Sequence, residues 1–184
     1  MVVTTDSGDA LRALEFYNRI TSGGGALMES LFALFEEEGI RYCVIGGQAV
    51  NYYVEPLVSL DLDLVVATDQ ISDVETLLTQ RFPVRRFPHS INVKLGESDL
   101  RVQIQTDPRY ADFVERADRG EVLGMTMPVA TARDVLTGKV WAAQDESRRA
   151  SKRRKDLLDI ERLIESIPTL RESVPREILQ RIES

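Results

Sequence analysis

Two neighbouring stretches constrain this chain more than any others: Tyr42-Cys-Val-Ile-Gly-Gly-Gln-Ala-Val50, then Ser59-Leu-Asp-Leu-Asp-Leu-Val-Val66. An apolar run enters a glycine pair, a helical segment follows, and a second apolar run carries Asp61 and Asp63 two residues apart. On a strand, residues i and i+2 point to the same face, roughly 6.6 Å apart. Two carboxylates so placed on a Leu/Val-rich strand repel each other, and neither is readily desolvated unpaired. A hard divalent cation removes both penalties, because Mg²⁺ takes oxygen ligands and leaves room for phosphate oxygens. The glycine pair upstream lets the backbone approach a phosphate at the start of a helix, where free N–H groups favour anions. The plainer alternative for the acids is a solvated strand edge.

At 184 residues, 43% hydrophobic and 29% charged, the chain fits a single globular unit with a substantial core. No run of 18 apolar residues predicts a membrane span, and the first residues lack the pattern of a secretory signal. Cys43 is the only cysteine and, inside an apolar strand, reads as a small buried hydrophobe. These features suit the cytoplasm. The net charge of −7 argues against nucleic-acid binding over the whole surface. Arg148, Arg149, Lys152, Arg153, Arg154 and Lys155 nevertheless put six cations within eight residues. That run reads either as a local polyanion site or as a solvated helix face.

Periodicity and breakers predict a loose arm with a helix over Asp9–Ile20, then a helix over Ala26–Glu38. Strands are expected at Arg41–Ile45 and Ser59–Val66, separated by a helix at Gln48–Val54, and a further helix at Thr68–Gln80. Val84–Leu95 and Leu100–Thr106 read as a strand pair joined by the turn Gly96–Asp99. A helix from Pro108 to Arg116, a strand at Glu121–Met127, and helices over Thr131–Arg149, Lys152–Ser166 and from Ser173 onward complete the pattern. The order predicts an α/β (α+β) fold, a mixed β-sheet flanked by helices. It divides into an N-terminal arm (1–25), an α/β core (26–130) and C-terminal helices (131–184).

Gly46-Gly47, a short helix and Asp61-x-Asp63 on a strand together resemble the nucleotidyltransferase fold of the DNA polymerase beta superfamily. Within it the chain looks most like the small bacterial nucleotidyltransferases related to abortive-infection and type IV toxin–antitoxin systems, from about Leu27 to about Ile164. The resemblance implies Mg²⁺-dependent transfer of a nucleoside monophosphate from an NTP to an acceptor hydroxyl on tRNA, protein or a small molecule. It makes Asp61 and Asp63 ligands of a site that holds two Mg²⁺ ions in the family, one of them more secure here, and Gly46 and Gly47 the triphosphate-contacting turn, with Gln48 in place of the hydroxyl many members carry. It also implies a toxin role with an antitoxin partner.

The family's third carboxylate falls on Gln103, in Leu100-Arg-Val-Gln-Ile-Gln-Thr-Asp107. An amide is a weaker Mg²⁺ ligand and no general base; Asp107 replaces it only if the strand bends inward before Pro108. A degenerate, non-catalytic nucleotide-binding or interaction subunit is therefore the rival expectation, and an antibiotic adenylyltransferase a third. The tail, Pro128 to Ala143 followed by Arg148 to Ile160, resembles that of the toxins. Carried over, Lys139 contacts phosphate, and Lys155, Asp156 and Asp159 form a second set. The bland alternative is that Asp156 and Asp159 anchor Lys139 or Lys155 in an ion pair across two packed helices. His89, Arg85, Arg86 and Lys94 read as surface or hairpin residues, the three cations also as candidate contacts to a nucleic acid, and Trp141 as core.

Overall fold

The computed structural model describes residues 25–96 and 99–183; the expected helix at Asp9–Ile20 lies outside them. In chain order come α1 (Gly25–Glu37), β1 (Tyr42–Ile45), α2 (Gly46–Tyr53), β2 (Asp61–Val66), α3 (Ile71–Arg81), β3 (Val84–Phe87), β4 (Ser90–Lys94) and β5 (Arg101–Gln105). A 3₁₀ segment at Pro108–Phe113 leads to β6 (Asp118–Val122) and β7 (Met125–Val129), followed by α4 (Ala132–Gln144), α5 (Ala150–Ser166) and α6 (Arg176–Ile182). The seven strands form one mixed sheet in the order β3-β4-β5-β2-β1-β7-β6. β2 lies at its centre, antiparallel to β1 and parallel to β5.

Strand alternation sorts the side chains between the two faces. Leu62, Leu64, Val102, Ile104, Ile91 and Val93 are all buried, in one cluster with Leu31 and Phe35 of α1 and Val74 and Leu78 of α3. The opposite positions are Asp61 and Asp63 on β2, Arg101, Gln103 and Gln105 on β5, and Ser90, Asn92 and Lys94 on β4. Register sets Asp63 beside Gln103, and Gln103 beside Asn92. Cys43 is fully buried, and burial pushes its thiol up to about 12. Among the described residues no helix is long and apolar enough to cross a membrane.

Four sequence expectations are corrected. Val84–Leu95 is not one strand but a hairpin that turns at Pro88-His89, where proline has no N–H for the ladder. Glu121–Met127 is likewise a hairpin, β6 to β7, turning through Leu123 (φ 52°) and Gly124 (φ 76°). A two-residue turn with both residues at positive φ matches the twist of the strands. Pro108–Phe113 is 3₁₀ rather than α-helix, opened by Asp107, whose side chain accepts from the Arg109 N–H. The helix from Thr131 stops at Gln144, because the Asp145 carboxylate turns the chain by accepting from the Ser147 N–H (3.0 Å) and hydroxyl (2.6 Å).

α4 and α5 are joined by a buried charge cluster. The Lys139 ammonium lies 3.1 Å from Asp156 and 2.7 Å from Asp159, all three side chains being less than a tenth exposed. Burial alone would push the lysine pKa down; the Asp159 and Asp156 carboxylates outweigh it, and the net shift is upward. Arg148 caps Asp156 at 2.8 Å and Arg162 caps Asp159 at 2.9 Å. Arg162 also donates to the Glu55 carbonyl, tying α5 to the loop after α2. Removing one member of such a cluster strands the rest. Lys139→Met is expected to cost about 3–5 kcal/mol, read by urea unfolding; a loss below 1 kcal/mol would contradict a buried, interdependent cluster.

Candidate functional site

The turn from β1 into α2 exists only because position 46 is glycine. Gly46 has φ +68°, and a Cβ there would lie 2.2 Å from Asp63 Oδ2. The backbone of the turn is thus pressed against the Asp63 carboxylate, as cross-strand pairing of Ile45 with Asp63 requires. A Cβ on Gly47 would lie 3.0 Å from Ser59 Oγ and 4.0 Å from Lys155 Nζ.

A cavity of about 90 Å³ opens beside this turn. Its polar wall holds Asp63, Gln103, Gln105, Lys139, Arg148 and Asp156; Ile45, Tyr110, Phe113 and Val135 supply much of its apolar side. Asp63 has no ion pair or hydrogen-bond partner among the described residues. Burial pushes its carboxyl up to about 6, against the downward pull of Lys139, with Asp61 adding to the rise and Arg148 and Lys152 opposing it. Asp61, two residues away, is paired with Arg101 at 2.9 Å and lies 3.7 Å from Lys152. Both cations are substantially exposed, 66% and 40%, so both can swing away from Asp61 at small cost.

Of the residues singled out in the sequence, Asp63, Gly46, Gln103, Lys139 and Asp156 meet in the cavity wall. Asp61, Gly47, Gln48 and Lys155 lie outside it. Gln48 is buried and donates its amide to the Ser59 carbonyl at 2.7 Å, which spends that group on the β2 approach. Asp107 does not turn inward: its carboxylate binds the Arg109 guanidinium at 2.7 Å, which holds its pKa below the usual range. Trp141 packs against Phe113 and Tyr110, with the Arg109 guanidinium 4.9 Å above its ring. Gly138 leaves α4 open to the Tyr110 ring, which would lie 3.2 Å from a Cβ there.

Of the charged members of the wall, sequence reading missed Asp134 and named Arg148 only as one of six cations in a candidate polyanion run. Asp134 is held by Arg116 (2.7 and 3.0 Å) and by the Thr131 hydroxyl (2.9 Å), a helix-capping arrangement. Arg148 was submerged in the cation run, and only its contact with Asp156 separates it from its neighbours.

Among the described residues no three His, Cys, Asp or Glu side chains converge as a metal-ligand set. The unpartnered Asp63 carboxylate, with Asp61 on the same face, makes a two-carboxylate oxygen donor set suited to one hard cation. Gln103, in register with Asp63, extends that row with an amide rather than a third acid.

No protein-family model matches the chain, and no curated protein sequence does. Solved structures do. The crystal structure of ANT(2'')-Ia in complex with adenylyl-2''-tobramycin superposes with a TM-score of 0.56 at 13% identity, covering 85% of this chain and 97% of that one. The solution structure of the antibiotic-resistance factor ANT(2'')-Ia gives 0.54 at 12% identity, covering 80% and 89%. An antigenic nucleotidyltransferase-like protein from Paracoccidioides brasiliensis gives 0.50 at 16% identity, covering 80% and 76%. Together with the seven-stranded sheet and the glycine turn above the Asp-x-Asp strand, these likenesses establish that the chain has the nucleotidyltransferase fold.

Proposed function

We propose that the protein binds an Mg²⁺–nucleoside triphosphate and transfers the nucleoside monophosphate to an acceptor hydroxyl. The hydroxyl oxygen bonds to the α-phosphorus, the bond from the α-phosphorus to the bridging oxygen breaks, and pyrophosphate and the hydroxyl proton are released. One observation carries this reading. A largely buried carboxylate, Asp63, with no partner among the described residues, faces a cavity beneath a glycine turn and shares its strand face with Asp61. In that reading Asp61 and Asp63 hold the cation, which, when bound, neutralises triphosphate charge. The Gly46–Gly47 turn brings backbone N–H groups at the start of α2 close to a phosphate. Gln103 offers hydrogen bonds but accepts no proton. Acceptor classes in keeping with the fold are a tRNA end, a protein side chain or a small hydroxylated molecule. The toxin role and its antitoxin partner rest on the tail motif around Lys139 and Lys155-Asp156.

A second reading, a nucleotide-binding subunit without transfer, is favoured by Gln103 in register with Asp63 and by Asp107 being bound to Arg109. α-Phosphate-labelled NTP incubated with total RNA and lysate separates the two. Transfer of label supports the first; binding without transfer, with label appearing in Gln103→Asp, supports the second.

Asp63→Ala and Asp61→Ala are expected to weaken Mg²⁺–NTP binding by at least about tenfold in calorimetric titration, and undiminished affinity in both variants would remove the site. A second expectation concerns the protein without cation. Because the Asp63 carboxyl is raised to about 6, its protonated form is the one that favours the fold. That contribution is present in full below the unfolded carboxyl pKa, near 4, and is lost as the pH rises through about 6. Asp63→Asn should therefore raise the Tm at pH 7.5 and leave it nearly unchanged at pH 4; equal effects at both pH values would contradict the assignment.

A further inference from the structure

The resemblance to the toxin tail places Lys139 at the phosphates, yet its ammonium is surrounded by Asp156 and Asp159 and is 8% exposed. Little of its charge or donor capacity is left for a ligand. Arg148 differs in each respect. Its Nε donates to Asp156 Oδ2 at 2.8 Å, while its two terminal nitrogens have no partner among the described residues. Its side chain is 41% exposed and forms part of the cavity wall.

The loop that carries Arg148 is fixed from both ends. Arg148 N–H donates to the Asp145 carbonyl at 3.1 Å, Asp145 is bound by Ser147, and the chain re-enters a helix at Ala150. Asp156 fixes the guanidinium from behind. Within the ion cluster, three cations (Lys139, Arg148, Arg162) face two carboxylates (Asp156, Asp159). Arg162 faces Asn51 and Glu55, so the cluster's extra positive charge lies on Arg148, toward the cavity, where Asp63 feels it without forming an ion pair. A fork with two free nitrogens matches two oxygens of a phosphate group, whereas a lysine supplies a point charge.

We propose that Arg148, held by Asp156, is the anion-binding residue of the cavity and takes a pyrophosphate-type group, with Lys139 confined to positioning Asp156. This rests on the phosphate-ligand reading of the cavity, but it needs no cation at Asp61 and Asp63. The test is therefore inorganic pyrophosphate titrated into the full chain in EDTA by calorimetry. Wild type should bind. Arg148→Met should weaken binding by about tenfold or more, and Arg148→Lys, which keeps charge but not the fork, by a smaller factor.

Arg154→Met, which removes the same charge from the exposed side of α5, should stay within about twofold of wild type. Thermal unfolding of each variant checks that it folds; if Arg148→Met does not, Arg148→Lys decides. The proposal is overturned if wild type does not bind, if the Arg148 variants bind as wild type does, or if Arg154→Met is weakened as much as Arg148→Met. Loss of Tm in Arg148→Met with unchanged pyrophosphate affinity would make the residue a loop latch only and also overturns it. If Mg²⁺–NTP binding depends on Asp63 while pyrophosphate ignores Arg148, the subsite falls and the proposed function stands. Dependence on Arg148 with indifference to Asp63 gives the reverse.

Discussion

The buried cluster of Lys139, Asp156 and Asp159 governs how the C-terminal helices meet the sheet. Its charges are too deeply buried to be left single, so α4 and α5 can pack only in the register that pairs them. That register has consequences on both sides. Through Asp159 and Arg162 it secures the loop after α2. Through Asp156 it aims Arg148 at the cavity. One ion cluster thus sets the distance between the anionic floor of the site on β2 and the cationic wall on the α4–α5 loop.

The cavity is electrically mixed, and that mixture is informative. Asp63 faces it unpaired, and its carboxyl is raised because burial outweighs the pull of the nearby cations. Arg148 faces it with two donor nitrogens that have no partner among the described residues. A ligand that satisfies both must bring positive charge to one end and negative charge to the other, as a cation-bound polyphosphate does; a free pyrophosphate engages Arg148 alone, and a free metal the β2 acids alone. Gln103 and Asp107 limit the arrangement. With an amide beside Asp63 and the next acid turned to Arg109, the carboxylate set suits one cation rather than a symmetric pair.

Local patterns were legible in the sequence; of the contacts between distant residues, only the pairing of Lys139 with Asp156 and Asp159 was among the readings it offered. Gly46-Gly47 and Asp61-x-Asp63 stand out because their meaning depends on spacing of one or two residues along the chain, and the sheet and its flanking helices follow from periodicity. The β3–β4 turn was hidden by reading through Pro88, and the β6–β7 turn by a leucine at positive φ, which propensity alone would not assign to Leu123. Arg148 was indistinguishable from five neighbouring cations until its pairing with Asp156, eight positions on, was visible. Asp134 depends on Arg116, eighteen positions away. Lys139 was open to two readings, a phosphate contact by resemblance and an ion pair with Asp156 and Asp159 across two packed helices; the structure shows the ion pair.

The central claim is that the β2 acids and the α4–α5 loop close on the two ends of one phosphorylated ligand. A crystal structure with Mn²⁺ and a non-hydrolysable nucleoside triphosphate tests it most directly, since anomalous scattering locates the metal independently of the nucleotide. The account predicts an anomalous peak bound by Asp61 and Asp63 beneath Gly46, with a phosphate oxygen hydrogen-bonded to the Arg148 guanidinium. A peak remote from β2, or a triphosphate lying elsewhere on the sheet with the cavity filled by solvent, would contradict it.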